Sequence, residues 1–208
     1  APVLYPYITY MKTSVRLSSL FVGALLAASS AFAGPWSVRL GATWLETVDK
    51  STRGVPVTVE DKLIPEIDIA YAFDANWSAE LVLSVPQEHS VKSAGAPLGS
   101  FKHLPPILLA KYAFDPVGGF RPYVGAGVNF TLIFDDDLSV GGTRLKLDSY
   151  SVGPAVQAGF DWALNDKWSL NLDVKRAMLR TDVEAGGAKL TEARLDPWLY
   201  SVGLRYAF

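Results

Sequence analysis

The stretch Trp198-Leu199-Tyr200-Ser201-Val202-Gly203-Leu204-Arg205-Tyr206-Ala207-Phe208 decides the fold. Taken at every second residue, Trp198, Tyr200, Val202, Leu204, Tyr206 and Phe208 form one apolar face tipped with aromatic rings. Ser201, Gly203 and Arg205 lie on the other. An alternation of period two belongs to a β-strand, whose successive side chains point to opposite sides of the sheet. Charges turned inward and aromatics turned outward reverse a soluble sandwich and fit a strand whose solvent is lipid.

The same alternation recurs upstream. Trp36, Val38, Leu40 and Ala42 oppose Ser37, Arg39, Gly41 and Thr43. Ile67, Ile69, Tyr71 and Phe73 oppose Glu66, Asp68, Ala70 and Ala72, and Trp77, Leu81, Leu83 and Val85 oppose Ser78, Glu80, Val82 and Ser84. A fourth strand over 101–114 keeps Leu108, Tyr112 and Phe114 outward. The fifth sets Val124, Val128, Phe130 and Leu132 against Arg121, Tyr123, Gly125, Gly127 and Asn129. The sixth sets Val152, Val156, Phe160 and Trp162 against Ser151, Gly153, Gln157, Gly159 and Asp161. The seventh sets Trp168, Leu170, Leu172 and Val174 against Ser169, Asn171, Asp173 and Lys175. With the terminal strand, the expected fold is all-β: an eight-stranded antiparallel transmembrane β-barrel of the outer-membrane type.

Tight turns of Asp, Asn and Gly chemistry over 74–76, 115–119 and 165–166 alternate with longer segments over 48–61, 87–100, 135–148 and 181–194. Short turns at one end and long loops at the other are the outer-membrane pattern, with both termini expected on the periplasmic side. At the short-turn end every strand places an outward aromatic: Trp36, Phe73, Trp77, Phe114, Phe120, Trp162, Trp168 and Phe208. Amphipathic rings favour the headgroup level of a bilayer, so this row reads as an interfacial girdle. A soluble eight-stranded lipocalin is the structural alternative, and it would expose these rings to water.

Met11, Lys12 and Arg16 precede an apolar run over 17–32 and the cleavage pattern Ala31-Phe32-Ala33, so residues 11–33 read as a signal peptide. The alternative, a membrane anchor, needs a longer run free of Ser and Gly. Residues 1–10 fit no leader pattern and are read as an upstream artefact extension, leaving 34–208 as the barrel. The chain has no cysteine, and a closed barrel in lipid gains its stability from complete strand pairing instead. A net charge of −2 without a basic stripe argues against nucleic acid as a partner.

Eight strands enclose a lumen scarcely wider than its own side chains. Its inward charges balance in sign: Arg39, Lys111, Arg121, Lys175 and Arg205 against Glu66, Asp68, Glu80, Asp161 and Asp173. Ion pores favour one sign, so balanced charges in a narrow barrel are expected to pair and plug it. Nearer the long loops, Ile64, Val82, Ile107, Leu109, Ile133 and Leu199 take the inward parity. They are expected to line an apolar pocket open to the outside; plain core packing is the alternative. In strand four, His103-Leu104-Pro105-Pro106 removes two ladder donors. That segment is expected to form a lateral gate into the lipid, or else a simple bulge.

Three blocks resemble the outer membrane protein W family: Phe101-Lys102-His103-Leu104-Pro105-Pro106, the run from Phe120 to Asn129 beginning Phe-Arg-Pro-Tyr-Val-Gly, and Arg194-Leu195-Asp196-Pro197-Trp198. The final Phe208 is similar to the terminal aromatic of bacterial outer-membrane barrels. The resemblance implies a barrel that binds or passes small hydrophobic molecules, with an apolar external pocket closed below by polar residues. Some members of the family also serve as phage or colicin receptors. Lys175 departs from the bulky apolar or aromatic residues that the resemblance implies in this inward region of strand seven, and a lysine there narrows or polarises the pocket floor. The expected partners are outer-membrane lipids and lipopolysaccharide, small hydrophobic molecules, and the barrel-assembly machinery during biogenesis.

No cofactor or metal is expected. Asp135-Asp136-Asp137 lacks calcium-loop spacing, and His89 and His103 are the only histidines. His103 with Ser100, or His89 with Ser90, imitates a barrel lipid hydrolase, but neither shows an orienting acid or an oxyanion donor, so the chain is read as non-enzymatic. Three functions stay in play: a conduit for apolar compounds, a structural or receptor barrel with a packed interior, and a lipid-modifying enzyme.

Overall fold

The computed structural model describes residues 34–47, 50–51, 57–59, 61–93 and 96–208. The signal peptide assigned to 11–33 and the extension 1–10 lie outside the described residues. Fifteen strands follow in order: β1 Trp36–Glu46, β2 Lys50–Ser51, β3 Val57–Val59, β4 Lys62–Ala72, β5 Trp77–Ser84, β6 Gln87–Ser93, β7 Ala96–Leu104, β8 Ile107–Ala113, β9 Phe120–Val140, β10 Thr143–Leu147, β11 Tyr150–Ala163, β12 Trp168–Ala177, β13 Arg180–Ala185, β14 Ala188–Arg194 and β15 Trp198–Ala207.

Eight of these close a barrel in the order β1, β4, β5, β8, β9, β11, β12, β15. Each pairs antiparallel with the next, and β15 returns to β1 from Ser37↔Ala207 to Glu46↔Trp198. Closure leaves no free edge, the one arrangement of strands in which lipid-facing backbone is fully hydrogen-bonded.

The parity read from the sequence holds around the ring. Arg39, Thr43, Glu80, Asn171 and Lys175 are buried inside, while Leu40, Leu108, Val128, Val156 and Val202 are exposed outside. Such a continuous apolar outer band has no place in water. At the short-turn end the rings pack edge on: Trp36 with Tyr71 at 4.9 Å between centroids, Trp77 with Tyr112 at 5.1 Å, and Tyr206 with Phe208 at 5.1 Å. Two of the short turns share one device. The Asp74 carboxylate accepts from the backbone N–H of Trp77 at 2.7 Å and of Asn76 at 2.8 Å, which holds it below the ordinary carboxylate range. The Asn165 carbonyl oxygen accepts likewise from Trp168 at 2.9 Å and Lys167 at 3.0 Å.

At the opposite end the segments expected as loops are largely hairpins. β9 continues to Val140 and turns into β10 through Gly141 and Gly142, both with positive φ (56° and 79°). β13 turns into β14 through Gly186 and Gly187 in the same way (60° and 82°). Glycine pairs at positive φ make the tight turn whose twist matches a hairpin. The extended walls enclose Val91, Phe101, Ile133, Leu138, Leu145, Leu179 and Leu195, a second buried apolar layer above the barrel.

Val202 lies in the middle of β15 on the outer face. Val202→Lys is expected to destabilise the barrel in lipid vesicles by about 2–4 kcal/mol, measured by guanidinium unfolding. Leu190→Lys, on an exposed position of β14 in the hairpins, is expected to change stability by no more than about 0.5 kcal/mol. Equal losses at both would place the bilayer elsewhere.

Candidate functional site

Inward parity brings charges from neighbouring strands together, because residues level in the ladder face the same lumen. Arg39 of β1 is level with Asp68 of β4 and with Arg205 of β15. Its side chain donates to Asp68 at 2.5 Å, pairs with Glu66, and lies 3.6 Å from Asp173. Lys175 donates to Glu66 and Asp173, each at 2.7 Å, and to the Ser201 hydroxyl at 3.2 Å. A second group gathers around Glu80, which accepts from Lys111 and Arg205, each at 2.8 Å, and from Gln157 at 3.1 Å. Arg205 also reaches Asp161 at 3.2 Å. Lys111 sits 4.1 Å above the Tyr123 ring, whose hydroxyl accepts from Asn171 at 2.8 Å.

Room for the Arg39 guanidinium comes from Gly41 and Gly203, which face each other across the β1–β15 ladder. A Cβ at Gly41 would meet Arg39 Nη1 at 2.5 Å, and one at Gly203 would meet it at 2.8 Å. The charges expected to plug the lumen therefore come together, with one correction. Arg121 stands at the short-turn rim, where it donates to the carbonyls of Phe114 (3.2 Å) and Ala75. It lies at the start of β9, level with Asp161 of β11, but its side chain turns to the rim carbonyls rather than to a carboxylate. The carboxylates of Glu66, Asp68 and Asp173 crowd together as a cation site would, and the protein's own Arg39 and Lys175 lie among them.

Above this polar layer, Ile64, Val82, Ile107, Leu109 and Leu199 form one buried cluster with Leu45, Ala155 and Ala177. Ile133, expected among them, belongs instead to the second layer. The expected open pocket is here a cavity of about 30 Å³, the space of roughly one water molecule. It is lined by Ile64, Val82, Ile107 and Leu199, and also by Leu45, Leu179 and Pro197. Leu45 was within reach of the sequence: carrying the inward parity of β1 one step beyond Thr43 lands on it. Lys175 and Glu66, paired, stand at the junction of the polar and apolar layers, and Glu66 reaches the cavity.

The cavity also touches a break in the wall. Pairing of β5 with β8 ends at Val82↔Ile107, and pairing of β6 with β7 resumes at Gln87↔His103. Between them Leu83 to Pro86 face Leu104 to Pro106 without a ladder. The far side of the same wall stays joined to β9, since Leu104 is level with Leu132 and the Phe130 N–H donates to the Pro106 carbonyl at 2.9 Å. The four residues expected as a gate thus divide. Pro105 and Pro106 flank the break, Leu104 is held on one side, and His103 is paired and turned inward at 4% exposure. Pro86, on the opposing strand, completes the break and was not singled out from the sequence, although it too lacks an N–H.

The His103 ring packs against His89 at 4.8 Å and Phe101 at 5.8 Å. Its two ring nitrogens make no hydrogen bond among the described residues, and the Ser100 hydroxyl donates to Glu88 at 3.0 Å. The Ser100–His103 pairing that a barrel hydrolase would use is not formed.

Comparison with known proteins agrees with this architecture. The sequence model of the OmpW family matches residues 33–208. Outer membrane protein W of Vibrio cholerae is 34% identical over 92% of this chain and 98% of its own. The dibenzothiophene metabolism operon protein PahQ of Pseudomonas aeruginosa is 28% identical over 84% of this chain and 89% of its own. Among solved structures, the outer membrane protein OprG of Pseudomonas aeruginosa superposes with a TM-score of 0.73 at 31% identity, covering 83% of this chain and 95% of that one.

Removing one partner of a buried charge pair leaves the others uncompensated, which is the expensive case. Arg39→Met is expected to cost about 3–5 kcal/mol of barrel stability, measured by guanidinium unfolding in lipid vesicles. Adding Glu66→Gln and Asp68→Asn to that variant should restore most of the loss. A single-variant cost near zero would mean that the network does not hold the lumen closed.

Proposed function

The chain belongs to the OmpW family of outer-membrane barrels, and from that premise we propose that it takes up small hydrophobic molecules and releases them sideways into the membrane. The observation that carries the reading is the continuity of the apolar cavity with the break in the wall. Ile64, Val82, Ile107 and Leu199 line it from within, and Leu83, Ser84 and Pro105 line it at the break. Below, the paired charges of Arg39, Glu66, Asp68, Glu80, Asp173 and Lys175 oppose passage through the lumen. An apolar solute entering from the hairpin end then has the break as its way out.

In this reading the long hairpins face outward from the cell, the short turns and both termini are periplasmic, and residues 11–33 direct secretion. Lipopolysaccharide and lipid surround the wall, and the barrel-assembly machinery inserts it. The relative encoded in a dibenzothiophene metabolism operon supports a hydrophobic aromatic as one class of permeant. Chemistry is not part of this role: the barrel binds and passes its solute unchanged.

The cavity must widen to admit such a solute, and it widens most cheaply where no ladder bond has to be broken. The small cavity also favours a second reading, a structural or receptor barrel with a packed interior that binds lipopolysaccharide or partners through its loops.

Uptake of radiolabelled n-octane by cells with and without the protein separates the two. Faster uptake, reduced several-fold when Pro86, Pro105 and Pro106 are replaced by Val, Thr and Val so that the ladder can close, is the expected result. Uptake that is unchanged by the protein for several apolar solutes would reject the conduit in favour of the packed barrel.

A further inference from the structure

The cavity is not uniformly apolar. Its polar lining comes from Glu66, Ser84, His103, Asn129 and Thr131. Three of these are already engaged. Glu66 is held by Arg39 and Lys175, Asn129 donates to the Met178 carbonyl at 3.4 Å, and the Thr131 hydroxyl donates to Asn129 at 3.1 Å. The other two are not. The Ser84 hydroxyl and both ring nitrogens of His103 are buried and make no hydrogen bond among the described residues. Ser84 and His103 stand on the two strands that flank the break, so their free groups share the cavity at its exit.

Buried polar groups are ordinarily satisfied, and ones left open beside a cavity mark what the cavity is built to hold. We infer that the molecule bound here has an apolar body and one uncharged hydroxyl, an alcohol or a phenol, whose head group lies between His103 and Ser84. A neutral imidazole offers one donor and one acceptor, and a hydroxyl can both give and take a proton bond. The body would lie against Ile64, Val82 and Leu199. A charged head fits poorly. A carboxylate would meet the like charge of Glu66 in the same lining, and an ammonium would have to compete with Arg39 and Lys175 for that carboxylate.

This inference rests on the passage reading for how the molecule arrives and leaves, but binding can be measured apart from passage. The chain has only two histidines, so protein labelled with nitrogen-15 at histidine, in lipid nanodiscs, gives a spectrum simple enough to assign with His89→Gln. Titration with 1-octanol should shift the ring-nitrogen signals of His103, and n-octane of the same length should leave them in place. Equal shifts with both, or none with either, would overturn the head-group site; the latter is also the result if a single water satisfies these groups.

In cells, His103→Phe keeps the ring volume and is expected to reduce octanol uptake about tenfold, the worth of one to two net hydrogen bonds, while octane uptake stays as in the parent. A matching fall in both would make His103 a packing residue and overturn the inference. If neither solute depends on the protein for uptake, the passage reading fails, and the contrast in the histidine signals alone decides the head-group site.

Discussion

A backbone N–H that faces lipid and has no partner finds no water to replace it, and this constraint shapes the whole molecule. It forces β15 back onto β1 and allows no free edge among the eight barrel walls. It also explains how the wall can break where it does. Pro86, Pro105 and Pro106 carry no N–H, so three of the seven residues at the break leave no orphan donor there. The Pro106 carbonyl keeps its bond to Phe130 on the intact side. A break built of ordinary residues would strand donors in hydrocarbon; one built of prolines lets two walls separate at much smaller cost.

The charges inside answer a different constraint. A narrow lumen has no bulk water to solvate them, so they must satisfy one another or leave the fold strained. Arg39 meets three carboxylates because Gly41 and Gly203 remove the side chains that would occupy its place. Glu80 plays the corresponding part for Lys111 and Arg205. Two groups of paired charges bind seven of the eight barrel walls together through the lumen, which the outer apolar band alone cannot do. Polar layer, apolar layer and hairpin layer are then stacked along one axis, and the break opens beside the middle one.

Most of this order was legible in the alternation of the sequence, because a period of two assigns every strand residue to the lumen or the lipid. What alternation does not supply is height along the barrel. Ile107 is level with Asn129, so Ile133 on the same strand lies about 13 Å farther along at roughly 3.3 Å per residue. It shares the parity of Ile64 and Leu199 and yet falls in the layer above. Arg121 differs for another reason: it is level with Asp161, which joins the network through Arg205, but its own side chain donates to the rim carbonyls of Phe114 and Ala75. The hairpins were missed where polar residues masked the continuing strands, although the pairs Gly141-Gly142 and Gly186-Gly187 carried the turn signal. Pro86 was passed over because a lone proline reads as a strand end until its partner strand is known to carry two more.

Lys175 shows how one residue sets the boundary between layers. It is almost fully buried and level with Leu199, an apolar-layer residue, while its amine reaches down to Glu66 and Asp173. A bulky apolar side chain at that position would extend the apolar layer downward and leave Glu66 with one fewer counter-charge. The lysine draws the Glu66 carboxylate into the polar network, so the cavity floor is polar but already paired. A floor of that kind gives an incoming head group nothing to bind. Among the described residues that line the cavity, the groups without a hydrogen bond are those of His103 and Ser84 beside the break, so in the proposed passage a molecule with one polar end would lie with that end toward the break.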